Sequence, residues 1–332
     1  MTRQQTQALK GLAALALVCG HMLWTGTVSE DITLMGIPLM GVLANVVSSI
    51  EIFVILGGYG LYYVYHRGVD HHRYTRIAKL YMHLWLITLI FLPIACWRLG
   101  GETYPGSMAD VLYNLTTLRV SWNWTCWFIL PYAVLSLLSP SLFRLADKCK
   151  WWQVMAASTL CYVVAYVIRW KYSGGSWYLQ NNGWTSLPVN VMYMLFPFSL
   201  GYLFCKYNEK WQNVKLAGWQ ALSLLAVVIV VKYILPKIYF GGLYALLFVL
   251  LYVKSPKIDV VDKALQFLGK HSLNIWLMHG WFCLYIFGGP VLGSHNPLIV
   301  LPAVLAICIL SSYVIDWICK PLMKQVEKVL GN

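Results

Sequence analysis

The sequence predicts an all-α polytopic transmembrane bundle of about ten helices with both termini in the cytoplasm, on three observations. Hydrophobic residues make up 59% of the 332 and charged residues only 11%, whereas a soluble domain is about one-quarter charged. Apolar stretches close to the roughly 20 residues needed to cross the hydrocarbon recur from end to end. The basic residues collect in short clusters on alternate connections between these stretches.

The expected spans lie near 8–25, 40–65, 79–97, 124–143, 151–169, 187–205, 215–234, 239–253, 272–287 and 297–318. The polar start, Met1 to Lys10, runs into the first apolar segment without a small-residue cleavage site, so the first helix reads as retained. Of the 25 Lys and Arg, only six (Arg98, Arg119, Arg169, Lys171, Lys232 and Lys237) fall on the side opposite the N-terminus. That bias puts both ends in the cytoplasm of a cell (inner) membrane, and it would blur if a span were missing. The apolar stretches leave no room for a separate soluble domain, so residues 1–332 read as a single transmembrane domain with none appended.

A formal charge of +13 invites a nucleic-acid partner, but the cations form no continuous stripe, and topology explains them better. The nine cysteines lie without any Cys-x-x-Cys pair or zinc spacing and read as small buried hydrophobes, and no metal is expected. Two long outer connections, near 98–123 and 170–186, are rich in Trp, Tyr, Gly and Asn. Trp122, Trp124, Trp177 and Trp184 read as an aromatic belt or as stacking surfaces for a sugar.

Chemistry must come from the few polar groups at membrane depth. Lys10 and His21 are eleven residues apart, about three turns, and so share one face of the first span. His21 titrates near neutrality in its ordinary state and suits a general base, though a histidine bonded to a backbone carbonyl in the core is equally ordinary. Glu51, in the second span, needs a partner in that medium, and His21 on the adjacent helix is the expected one. Arg73 and Arg76 open the third span from the cytoplasm beside His71, His72 and Lys79, where guanidinium forks and a helix N-terminus favour phosphate. Trp127 in the fourth span and Asn274 with His279 in the ninth are further candidates for lining a cavity, and Asp316 with Lys320 reads as an anchoring pair. A transporter or flippase with a Glu/His proton relay is the competing class.

At these residues the chain resembles the acyltransferase 3 family. Lys10-Gly-Leu-Ala-Ala-Leu-Ala-Leu-Val-Cys-Gly-His21 keeps the family's Arg-to-His spacing with Lys in place of Arg. Ile52-Phe-Val-Ile-Leu-Gly-Gly-Tyr59 is similar to its second-helix pattern, Arg73-Tyr-Thr-Arg76 to its Arg-x-x-Arg, Trp127-Phe128 to its Trp-Phe segment, and Ser272 to His279 to its late Ser-x-x-Ile-Tyr-x-x-His stretch. The resemblance implies a ten-helix enzyme that takes an acyl group, usually acetyl from cytoplasmic acetyl-CoA. The acceptor would be a hydroxyl of an extracytoplasmic glycan or related molecule. It implies His21 as the base, Glu51 as its partner, and Lys10, Arg73 and Arg76 facing the CoA phosphates.

Overall fold

The computed structural model describes residues 1–28, 33–34, 37–69, 72–100, 104–173, 184–235, 241–285 and 295–330. Their helices are α1 (Arg3–Trp24), α2 (Leu39–Val46), α3 (Ser49–His66), α4 (His72–Leu99), α5 (Met108–Thr116), α6 (Ile129–Asp147), α7 (Trp151–Ser173), α8 (Ser186–Lys206), α9 (Asn208–Gln212), α10 (Gly218–Ile234), α11 (Gly241–Lys254), α12 (Asp259–Gly280) and α13 (Pro297–Val329). A two-residue hairpin, Thr33–Leu34 with Ile37–Pro38, joins α1 to α2. Among the described residues, seven helical stretches are long and apolar enough to cross a membrane: Arg3–Trp24, Leu39–His66, Arg73–Leu99, Trp124–Asp147, Trp151–Lys171, Ser186–Lys206 and Pro297–Val329. The shorter apolar helices Gly218–Ile234 and Gly241–Lys254 fall on the seventh and eighth expected spans.

Three boundaries differ from the sequence reading, each for a physical reason. The second span is broken: Val47 is extended (φ −90°, ψ 106°), α2 ends there, and α3 starts afresh at Ser49. Glu51 therefore sits in the first turn of a helix and not in the middle of one. Exposed amides at such an N-terminus favour a carboxylate, and discontinuous helices in membranes collect polar function. The ninth span begins earlier than its apolar run, because α12 starts at Asp259 with a polar half carrying Asp262, Lys263 and Gln266. The last helix continues past the expected end, through the basic stretch to Val329.

The chain forms two compact units, Met1–Gly57 with Leu203–Leu310, and Gly58–Tyr202 with Ser311–Asn332. In the first, α1 is capped by Thr2, whose hydroxyl accepts from the Gln5 amide while the Gln5 side chain accepts from the Thr2 amide. Small residues, among them Ala8, Gly11, Ala13 and Ala16, line its buried side. They let α12 approach to backbone contact: a Cβ on Gly11 would strike the Leu265 carbonyl, and one on Gly269 the Gln7 carbonyl. In the second unit α3 and α8 meet the same way, since a Cβ on Gly58 would strike the Phe198 carbonyl. There Asp147 accepts from the hydroxyls of Tyr202 (2.9 Å) and Tyr62 (3.2 Å).

Asp316, expected to pair with Lys320, instead lies 3.9 Å from His83 on α4 and accepts from Ser312, one turn back on its own helix, at 3.4 Å. Trp122 is not part of an interfacial belt. It is buried, donates from its indole to the Pro105 carbonyl, and donates from its backbone amide to the Asn114 side-chain oxygen. Trp184 is exposed, as a belt residue is. Trp177 and His71 lie outside the described residues.

Candidate active site

The glycine contact between α1 and α12 sets a register. Gly11 meets Gly269, and ten residues further along each helix, about 15 Å, His21 meets His279. The same sense of travel on both helices means that they run parallel, as the first and ninth spans of an alternating bundle must.

His21 Nδ1 lies 2.6 Å from His279 Nε2. The ring centroids are 4.9 Å apart and the planes differ by 16°, the arrangement of an in-plane N–H···N bond and not of a face-to-face stack. The surrounding acceptors fix the tautomers. His279 Nδ1 faces the carbonyls of Trp276 (2.7 Å) and Ile275 (3.1 Å), so it carries the hydrogen and donates to them. His279 Nε2 is then an acceptor, and His21 Nδ1 must donate to it. In a neutral His21 this leaves the lone pair on Nε2, the configuration of a base whose far nitrogen is held by a partner. His279 is fully buried and His21 half-buried.

The end of this pair is closed by hydrogen bonds that the sequence did not disclose. Cys283 Sγ lies 2.9 Å from the His279 carbonyl, Thr27 Oγ1 donates to the Cys283 carbonyl at 3.1 Å, and His295 Nδ1 donates to the Thr27 carbonyl at 3.0 Å. α12 continues as a π-helical turn, Trp281–Tyr285, a departure that is frequent at functional sites. The signal that could have found the pair is a spacing: Gly11 to His21 and Gly269 to His279 are separated by the same number of residues.

Glu51 belongs to the same unit. Its carboxylate lies against Gly241 at the start of α11, where an added Cβ would come to 3.0 Å from Oε1. Asn274 is buried on α12, and Lys10 is half-buried on α1, about two turns in from its start. In the second unit Arg73 stacks on Tyr74, 4.4 Å from the ring centroid, and donates to its hydroxyl at 2.8 Å. Arg76 donates to the Gly60 carbonyl at 3.5 Å, and both terminal nitrogens would touch a Cβ there, so glycine makes the space for the guanidinium. Trp127 is buried in that unit with the Arg169 guanidinium 5.7 Å from its ring. Arg169 also caps Tyr193 at 4.3 Å, a contact that sequence reasoning did not anticipate.

The family model described as an acyltransferase domain, acyltransferase 3, matches residues 5–317. No curated protein and no solved structure matches the chain.

Proposed function

Since the chain belongs to the acyltransferase 3 family and is a membrane acyltransferase, we propose that it moves acetyl from cytoplasmic acetyl-CoA to a hydroxyl of an extracytoplasmic glycan or related envelope molecule. One observation carries the chemistry: the donor–acceptor chain from His21 through His279 to the α12 carbonyls, which presents His21 Nε2 as a lone pair.

His21 Nε2 takes the proton of the acceptor hydroxyl as its oxygen attacks the thioester carbonyl carbon. The tetrahedral intermediate collapses with cleavage of the C–S bond, and the proton returns from the imidazolium to the departing CoA sulfur. His279 is a positioning residue that holds the reactive tautomer. Glu51 supplies the negative charge that favours the imidazolium formed during attack. Lys10, Arg73 and Arg76 are each proposed as phosphate contacts for CoA, the arginines as forks and Lys10 as a point charge. Trp127 is proposed as a stacking surface for the acceptor and Asn274 as a hydrogen-bonding group. The protein is placed in the cytoplasmic membrane with both termini inside, in keeping with the cation bias.

The test is turnover of labelled acetyl-CoA by the purified full chain in lipid nanodiscs, following free CoA and label on a hydroxylated acceptor. His21→Ala is expected to lower transfer by about 10²–10⁴-fold, the contribution of a general base. His279→Phe is expected to lower kcat on the order of 10²-fold, through misplacement of the base, with little change in KM for acetyl-CoA. Equal turnover by wild type, His21→Ala and Glu51→Gln would sink the assignment.

A further inference from the structure

Lys232 is one of the few basic residues that fall on the side opposite the N-terminus, where topology alone gives it no purpose. Near the end of α10 it does not extend freely into solvent: it is 8% exposed, with its ammonium 5.6 Å from the centre of the Tyr244 ring. Tyr244 is itself 8% exposed, and its hydroxyl has no hydrogen-bond partner among the described residues. The first turn of α11 ties this cation to Glu51. Gly241 and Tyr244 are three residues apart and so share a face, about 4.5 Å apart along the axis. The Glu51 carboxylate lies against the first and the Lys232 ammonium over the second. The missing side chain at Gly241 lets the carboxylate reach this turn, because a Cβ there would crowd Oε1.

We propose that Lys232 is the counter-ion and positioning residue of Glu51, holding it as an oriented carboxylate across the first turn of α11, with the Tyr244 ring as the platform for the ammonium. Three features of this small region serve the same end. The first turn of α3 carries Glu51, the first turn of α11 adds a second set of amino-terminal dipoles near it, and the tyrosine face receives the cation. A half-buried carboxylate and a buried ammonium in apolar surroundings are each unfavourable alone and tolerable together. The inference rests on the proposed role of Glu51 only where activity is the readout.

The experiment is infrared difference spectroscopy of the purified full chain in lipid nanodiscs, with the Glu51→Gln variant identifying the bands of Glu51. Wild type is expected to show Glu51 as carboxylate stretches, Lys232→Met as a carboxylic acid carbonyl band that Glu51→Gln removes, and Lys232→Arg as carboxylate again. Tyr244→Phe keeps the ring and is expected to keep the carboxylate. Glu51 remaining a carboxylate in Lys232→Met would overturn the proposal whether or not the chain turns over acetyl-CoA. In the transfer assay Lys232→Met is expected to lower kcat on the order of 10²-fold with KM for acetyl-CoA unchanged, and Lys232→Arg to restore most of it. Where Lys232→Met fails to accumulate, the double variant Lys232→Met/Glu51→Gln, which buries neither charge, decides. Recovery of folded protein supports the pairing, and failure equal to that of the single variant overturns it.

Discussion

Each unit buries a histidine against a neighbouring helix, His279 in one and His83 in the other, yet the two are set in different surroundings. In the first unit His21 and His279 are joined at 2.6 Å, and the carbonyls behind His279 fix every proton in the chain. In the second unit His83, 2% exposed, lies 3.9 Å from an Asp316 whose side chain is 45% exposed and already accepts from Ser312. The first arrangement specifies a tautomer and leaves a basic nitrogen directed away from its partner. The second sets a buried histidine 3.9 Å from a half-exposed acid that also accepts from a serine on its own helix. Burial alone therefore does not single out a candidate base, and what marks the first pair is a set of acceptors that specifies its tautomer.

That contrast can be broken most sharply by exchanging each histidine for glutamine. His21→Gln is expected to lose about 10²–10⁴-fold in acetyl transfer, whereas His83→Gln keeps wild-type turnover; comparable losses in both would erase the distinction. Next in size is Gly269→Val, which forces α1 and α12 apart at the Gln7 carbonyl. Overpacking of this kind costs about 1–3 kcal/mol, and here it also separates His21 from His279. The expected outcome is a lower unfolding temperature together with a fall in kcat, and unaltered turnover would show that the glycine contact does not set the histidine register. Arg73→Ala leaves the histidine pair intact and is expected to weaken CoA binding by about 1.5–3 kcal/mol, read by direct titration with CoA; unchanged affinity would remove Arg73 from the phosphate site. The smallest effect is expected for Asp316→Asn. At its exposure the contact with His83 contributes at most about 1 kcal/mol, read as a slight shift in thermal unfolding.

Much of the architecture was legible in the order of apolar segments, because lipid penalises every unpaired backbone group and leaves helices as the available answer. The break between α2 and α3 was not. Its sequence, Val46-Val47-Ser48-Ser49, has no Pro or Gly to interrupt a helix, and the one local signal, the capping-box spacing from Ser48 to Glu51, lies inside an apolar run of full membrane length that reads as continuous. The polar start of α12 was missed because hydropathy sees the lipid-facing stretch and not the helix that carries it. At the site, His21, Glu51 and His279 stood out as polar groups in apolar surroundings. Lys232 did not, since its place at the end of an apolar segment is also that of an ordinary flanking lysine.

By itself the sequence determined that this chain is a multi-pass helical membrane protein and which family's residues it carries in order. Those properties follow from composition, from segment length against membrane thickness, and from spacing within single helices. Only the tertiary structure decided which histidine meets which and on which nitrogen the proton rests. It also decided that a glutamate just after a helix break lies against the start of a helix far along the chain. Such pairings depend on how closely two backbones approach and on the register at which they pass, and both are properties of two helices together.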